Sequence, residues 1–486
     1  MMRGFSKFRF SSKKIAKNFI LSNLTLPLAF VVFIVLLSGI VRAATFSGRV
    51  GADGDDGRTT NDATFSASTR PAVGRSASYP LDVWLRFPNV TVPQGATITS
   101  ANLSFTYYSY SYDATDVFSR IYAVAEDNHT APTDLSTWST DHGILTTAWK
   151  NWNFTPAAED KTTGDMVDVI QEIISRPGWS SGNAIGIQIN DNGSAATTWY
   201  QWKDYEGGGS TQSSLLTINY NTPAVASNVS VDSGASSIAL TEGTTKNVVC
   251  SGTVTDADGY ADITSVEARF YRVGVGVTAS DDLSNHYTVL GDSNCVPSGG
   301  SGTTETYTCT FPVQFYADPT DVGSAYESDT WRCWLSPTDT VGQGTAGLDS
   351  IEMNTLIALD VTSSISYGTL NLGGDTGTTD KTTIITNTGN RQIDVQLDGY
   401  GAEDGDGYAM TCQIGSIPIN YETFSLSAST AYASKTKLSD TASTQTSFNL
   451  TKGAASTKNI YWGLGIPSTG SLGACSGKVN FTAISG

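Results

Sequence analysis

The sequence predicts an all-β chain of β-sandwich domains behind an export leader, and three observations carry that reading. Short runs of alternating apolar and polar residues are bounded by Pro, Gly, Asn and Asp; Leu81–Phe87, Ser265–Val273, Thr382–Thr386 and Lys478–Ala483 are examples. Convincing helical period occurs in one segment, Asp165–Ser175, where Met166, Val167, Val169, Ile170, Ile173 and Ile174 share a face before Pro177-Gly178 ends it. All six cysteines lie beyond the leader, an even count that reads as disulfides in an exported chain.

The leader comes first. Arg3, Lys7, Arg9, Lys13, Lys14 and Lys17 precede an apolar run, Leu26–Val41, and then Ala43 and Ala44. The run is about 16 residues, short of the ~20 typical of a membrane span. Val41-Arg42-Ala43 suits signal-peptidase cleavage after Ala43, and retention as an N-terminal membrane anchor is the alternative. The expected location is extracellular or cell-surface, membrane-anchored if residues 1–43 stay.

The leader holds seven of the 28 Lys and Arg and no acid, so 21 basic residues face 46 acidic ones beyond it, a formal charge of −25. That field repels phosphate backbones, and no nucleic acid is expected as a partner. Length argues for about three domains: 44–221, 222–358 and 359–486.

The first domain has seven of the ten tryptophans and no cysteine, so burial alone must hold it. Pro93-Gln94-Gly95 reads as a tight turn before a half-buried strand with Ile98, Ala101, Leu103 and Phe105. The stretch Leu85–Ala101, together with Glu172, Arg176-Pro177-Gly178-Trp179, Ser180-Ser181-Gly182-Asn183 and the closing run Leu215–Tyr220, resembles microbial surface jelly rolls of the DNRLRE-type carbohydrate-binding-module-like family. The likeness covers about a third of the chain, and the DNRLRE hexapeptide itself is missing. It implies a two-sheet jelly roll with surface attachment or glycan binding as its context.

The second domain resembles bacterial immunoglobulin-like modules: Val248–Val254 reads as strand B and Thr330–Leu335 as strand F. Trp331 stands two residues before Cys333, where the immunoglobulin pattern has tyrosine. That pattern implies Cys250–Cys333 across the sheets and Cys295–Cys309 closing a local loop, one of three pairings open to four cysteines. The third domain, through Ile365–Leu370, Thr383–Ile385 and the Asn387-Thr388-Gly389-Asn390 turn, is similar to another such module, and its two cysteines pair by default as Cys412–Cys475.

No catalytic residue is expected, and the chain reads as a non-enzyme. His129, His142 and His286 are the three histidines, and neither HExxH nor a GxSxG elbow occurs. Carboxylates such as Glu126 and Asp127 with Glu172 could flank a sugar, but Glu126-Asp127 reads better as a strand end. Calcium is the one cofactor considered. Asp256, Asp258 and Asp262 sit in a Gly-containing turn that offers hard oxygen ligands, with an ordinary Asx turn as the alternative. Asp53–Gly57 and Asp404–Gly407 are weaker versions.

Sugar binding is the sharper expectation for the first domain. Alternation puts Trp199, Gln201 and Lys203 on one strand face and Tyr200, Trp202 and Asp204 on the other. Trp199, Tyr200, Trp202 and Asp204, with Trp149 and Trp152 as a second platform, are the candidate ligand-binding residues; core packing is their alternative use. Tyr107–Tyr112 suggests a sticky edge strand. The functional expectation is adhesion or glycan binding through the first domain, with immunoglobulin-like spacers, and polysaccharide or another surface protein as partner. A structural envelope or stalk component is the rival, and an extracellular polysaccharide hydrolase a more distant one.

Overall fold

The computed structural model describes residues 44–67, 70–113, 115–291 and 293–486. The leader expectation falls outside them. The described chain is an all-β protein of sandwiches built around three separate hydrophobic cores.

The first sandwich pairs a four-stranded sheet with a larger, nine-stranded one. The small sheet runs Ala44–Arg49, Leu215–Asn221, Thr97–Phe105, Lys161–Thr162. The large sheet has Tyr107–Ser111 at one edge, then Trp199–Trp202, Ala72–Ser76, Tyr79–Phe87, Ile185–Asp191, Ser119–Ala123 and Lys150–Asn151, with the hairpin Asp56–Thr60/Thr64–Ser66 joined to Tyr79–Phe87. Alternation decides what faces in. Val83, Leu85 and Phe87 meet Ile187 and Ile189 on the inner side, against Leu103 and Ile218 of the small sheet. Each such buried side chain stabilises by about 1.5–3 kcal/mol.

Three helices, not one, occur among the described residues: α1 (Leu135–His142), α2 (Val167–Ile174) and α3 (Tyr205–Gln212). The predicted helix is α2, which buries Val169, Ile170, Ile173 and Ile174 in the first core. The other two lack an apolar stripe. Asp134 starts α1 through a capping box with Thr137, and Trp138 is its one buried apolar side chain. Three glycines run through α3, which kinks at Gly209 (φ 57°). Caps and neighbours hold these helices, and periodicity cannot detect either contribution.

The second sandwich has the immunoglobulin-like strand order. Strands A (Val225–Val231), B (Thr245–Thr255), E (Thr304–Gln314) and D (Cys295–Pro297) form one sheet. The other is A′ (Ser237–Ile238), G (Gly347–Met353), F (Trp331–Thr338), C (Ser265–Arg272) and C′ (His286–Leu290). Cys250 on B joins Cys333 on F across the core, where Phe270 stacks on Trp331 with ring centres 4.9 Å apart. Cys295 on D joins Cys309 on the neighbouring strand E.

The third sandwich places a five-stranded sheet, with Lys381–Asn387 and Thr457–Leu464 at its centre, beside two three-stranded sheets. Trp462 fills its core and donates from Nε1 to Thr383 Oγ1 at 2.9 Å. Cys412 and Cys475 face each other on adjacent strands and are joined. All six cysteines are thus paired, the state of a chain matured in an oxidising compartment. Among the described residues no helix is long and apolar enough to cross a membrane.

Candidate functional site

The strand Trp199–Trp202 alternates as its sequence predicts, but its larger faces are not available to a ligand. Tyr200 and Trp202 are both 0% exposed. Tyr200 Oη donates to the Glu159 carbonyl at 2.7 Å, and Trp202 Nε1 to Ser214 Oγ at 2.9 Å. Trp152 is buried too, its ring 5.0 Å from Phe105 and 4.4 Å from Phe154. Asp204 is a helix cap, accepting from the Gly207 N–H at 2.8 Å. Tyr200, Trp202, Trp152 and Asp204 are therefore corrected from ligand groups to structural ones. Tyr200 and Trp202 lie on the side of their strand that faces the small sheet, Trp152 packs into the same core, and Asp204 is taken up in capping α3. Trp199 stays half-buried, and Trp149 is 44% exposed with the Arg120 guanidinium 4.5 Å above its ring. Tyr108 and Tyr110 are exposed on the edge strand, and Tyr112 is exposed just beyond its end.

The outer face of the large sheet holds a second set of groups. Asp82 and Trp84, Gln188 and Asn190, and Arg120 and Tyr122 project outward from three neighbouring strands. Trp84 lies over Gly57, where a Cβ would come 2.3 Å from its ring, and stacks on Phe65 with centres 4.3 Å apart. The excursion between Ser119–Ala123 and Lys150–Asn151 carries α1 across this face. His142 stacks on Trp138, and its Nδ1 lies 3.0 Å from Gln188 Oε1.

Beside α1 opens a cleft of about 360 Å³, lined by Arg75, Asp82, Arg120, Tyr122, His142 and Asn190 among others. A larger opening along α1, about 730 Å³, shares Asp62 and His142 with it. Burial pushes the Asp82 carboxyl up to about 7. Arg75 Nε holds Asp191 Oδ2 at 2.8 Å, and the other Asp191 oxygen accepts from Ser194 N–H at 3.0 Å. Arg120 Nε and Asn190 Oδ1 are buried without a partner in the protein. Sequence reading missed this cleft. Its one signal was the polar outward set within otherwise buried strands, Asp82 and Gln188 above all. The third sandwich has clefts of about 300 and 580 Å³, and no tryptophan lines either.

The acidic motifs separate into different uses. Asp406 accepts from the N–H groups of Ala402, Tyr408, Gly401 and Glu403, which hold its carboxyl down to about 2; it organises an Asx turn. Asp55 pairs with Arg86 at 3.0 Å, while burial, with Glu206 and Asp204 nearby, pushes Asp56 up to about 8. Asp256, Asp258 and Asp262 are all buried and can each present one oxygen within 4.8 Å of the others. A further group, Glu126, His129 and Asp141, was not foreseen: His129 Nδ1 is 3.0 Å from Glu126 Oε2, and Nε2 is 3.9 Å from Asp141 Oδ2. The suggested carboxylates each have structural partners. Asp127 is tied to Arg176 at 2.6 Å, and Glu172 accepts from Thr147 and Ala148 N–H groups, both at 2.9 Å.

No protein-family model matches the chain, and no curated relative matches it. Among solved structures it is similar to β-glucuronidase from Ruminococcus gnavus, at 9% identity over 65% of this chain and 46% of that one, with a TM-score of 0.18. A calcium-binding mutant of Bacteroides uniformis β-glucuronidase 2 matches at 10% identity over 66% of this chain and 33% of that one, with the same TM-score of 0.18. A putative β-galactosidase from Bacteroides fragilis follows, at 7% identity over 68% and 42%, TM-score 0.18. The chain spans less than half the length of each, and likenesses of this size carry no argument about fold or function.

Proposed function

We propose that the chain is an exported, non-catalytic surface protein whose first sandwich binds glycan in the cleft on the outer face of its large sheet. The observation that carries this reading is the pairing of that cleft with an exposed indole. Arg120 lines the cleft and its guanidinium packs on one face of Trp149, so the polar wall continues onto an indole that is 44% exposed. A pyranose ring offers both counterparts, C–H groups for the indole and hydroxyls that donate and accept. The lining mixes Arg75 and Arg120 with Asp62, Asp82 and Asp191, which favours a neutral sugar over a uronate. Asp191 is fully engaged by Arg75 and by backbone N–H groups, which supports binding rather than two-carboxylate hydrolysis. The second and third sandwiches then act as disulfide-braced spacers.

The test is retention of the full chain on a panel of immobilised neutral polysaccharides. Trp149→Ala and Arg120→Ala should each reduce retention at least tenfold while Trp199→Ala leaves it unchanged. No retention of the unaltered chain on any polymer, together with its self-assembly, would move the reading to a structural envelope component.

A further inference from the structure

The first and second sandwiches meet at a buried acidic knot. Asp256, Asp258 and Asp262 are 0%, 7% and 4% exposed. The turn that carries them opens after strand B, with Asp258 N–H donating to Asp256 Oδ1 at 2.9 Å and Gly259 at φ 120°. The first sandwich closes on it from two adjacent strands. Ala44 N–H donates to Asp258 Oδ1 at 3.0 Å, and Thr222 donates to Asp258 Oδ2 from its N–H at 2.6 Å and its hydroxyl at 3.0 Å. Asn221, last residue of the strand Leu215–Asn221, donates from Nδ2 to Asp262 Oδ2, and Thr340 donates to Asp262 Oδ1 at 2.8 Å.

We propose that Asp256, Asp258 and Asp262, together with the Asn221 amide oxygen, bind a calcium ion that fastens the first sandwich to the second. Three carboxylates this close and this buried are costly unless a cation offsets them. Among the described residues no Lys, Arg or His forms an ion pair with any of the three. Two oxygens at the knot are left over: Asp256 Oδ2 and Asn221 Oδ1 are buried with no partner, in residues that are 0% exposed. Asn221 comes from the other sandwich, so its spare oxygen is an observation independent of the acidic turn.

The ligand set selects the ion. It is all oxygen, with neither His nor Cys, which disfavours zinc. Calcium accepts six to eight oxygens in irregular geometry, whereas magnesium demands a near-ideal octahedron. An ammonium at Ala44, the product of leader removal after Ala43, would offset one of the three charges and leave two, the charge of the ion. Because ligands come from both sandwiches, the ion would raise the cost of separating them by its own binding free energy.

The full chain, stripped with EDTA and dialysed, is titrated with calcium chloride by calorimetry, and with terbium read by its protein-sensitised luminescence. One calcium per chain is expected, with magnesium bound at least 100-fold more weakly. Asp256→Asn should weaken calcium at least 100-fold and Asn221→Ala at least tenfold, while Asn221→Asp tightens it. Proteolytic cleavage between residues 221 and 225 should slow at least tenfold when calcium replaces EDTA. Absence of both heat and luminescence in the unaltered chain overturns the proposal, as does calcium affinity unmoved by Asp256→Asn. Binding that Asn221→Ala leaves unchanged overturns the fastening role. None of these readouts depends on a glycan.

Discussion

Trp331 Nε1 donates to the Asp318 carbonyl at 2.8 Å, tying the indole at the centre of the second core to a residue that also reaches the third sandwich. The Asp318 side chain is buried and takes Arg272 Nε at 2.9 Å on one oxygen and Lys452 Nζ on the other. Lys452 also donates to the Tyr316 carbonyl at 2.8 Å. One residue thus holds a core tryptophan through its carbonyl and, through its carboxylate, a strand C arginine and a lysine of the following sandwich.

Removing that carboxylate should uncouple the last two sandwiches. Asp318→Ala takes the shared acceptor from Arg272, which keeps Asp329, and from Lys452, which keeps the Tyr316 carbonyl, a loss of roughly 1.5–3 kcal/mol for hydrogen bonds to charged groups. Differential scanning calorimetry should show the third sandwich melting apart from the second, whereas Lys452→Met should lower only the docking and leave the second sandwich's own transition in place. A single unshifted transition in Asp318→Ala would sink this account.

The two disulfides of the second sandwich should differ in worth. Cys250–Cys333 spans 83 positions and Cys295–Cys309 spans 14. Chain-entropy arguments put the first at about 4.5 kcal/mol and the second at about 3 kcal/mol. Replacing both members of each pair by Ala should depress the melting temperature more for the first pair, as measured by circular dichroism; the reverse order would refute it.

Acidity should stabilise the first sandwich over part of the pH range. Burial raises Asp56 to about 8 and Asp82 to about 7, so the folded form holds protons that the unfolded chain has released. The unfolded state then binds fewer protons, and stability falls as pH climbs from about 4 through about 8, by up to about 1.4 kcal/mol per pH unit for each group. Urea titrations at pH 5 and pH 8 should show the loss, and Asp56→Asn should flatten the slope. Greater stability at pH 8 would contradict the assignment.

Gly186 should be irreplaceable under the α1 excursion. A Cβ there would stand 2.3 Å from the His129 ring, which lies flat on the outer face of the sheet. Gly186→Ala should cost about 1–3 kcal/mol through overpacking. By displacing the 125–147 excursion it should also weaken polysaccharide retention. Retention equal to the unaltered chain, in a variant measurably destabilised, would separate the excursion from the cleft.

The all-β class and much of the architecture were legible in the residue order because they rest on local rules. Strand alternation in Leu81–Phe87 fixes which side chains face in; Cys412–Cys475 follows from domain membership, and the other two pairs are those the resemblance to immunoglobulin-like modules implied. The same rules marked Asp256, Asp258 and Asp262 as a cluster, since a two- and a six-residue spacing lies within one turn. Which face of a strand is covered is a different kind of fact. Tyr200 and Trp202 alternate as a binding strand would, yet a second sheet buries them, while Trp149, next to the edge strand Lys150–Asn151, stays 44% exposed. The cleft exists because an excursion without periodicity crosses Asp82, Gln188 and Asn190, and the acidic knot acquires Asn221, Thr222 and Ala44 only when two sandwiches meet. Sequence alone determined the period of each strand and the chemistry it carries. Tertiary structure alone decided what lies against it, because burial and juxtaposition depend on partners far away along the chain.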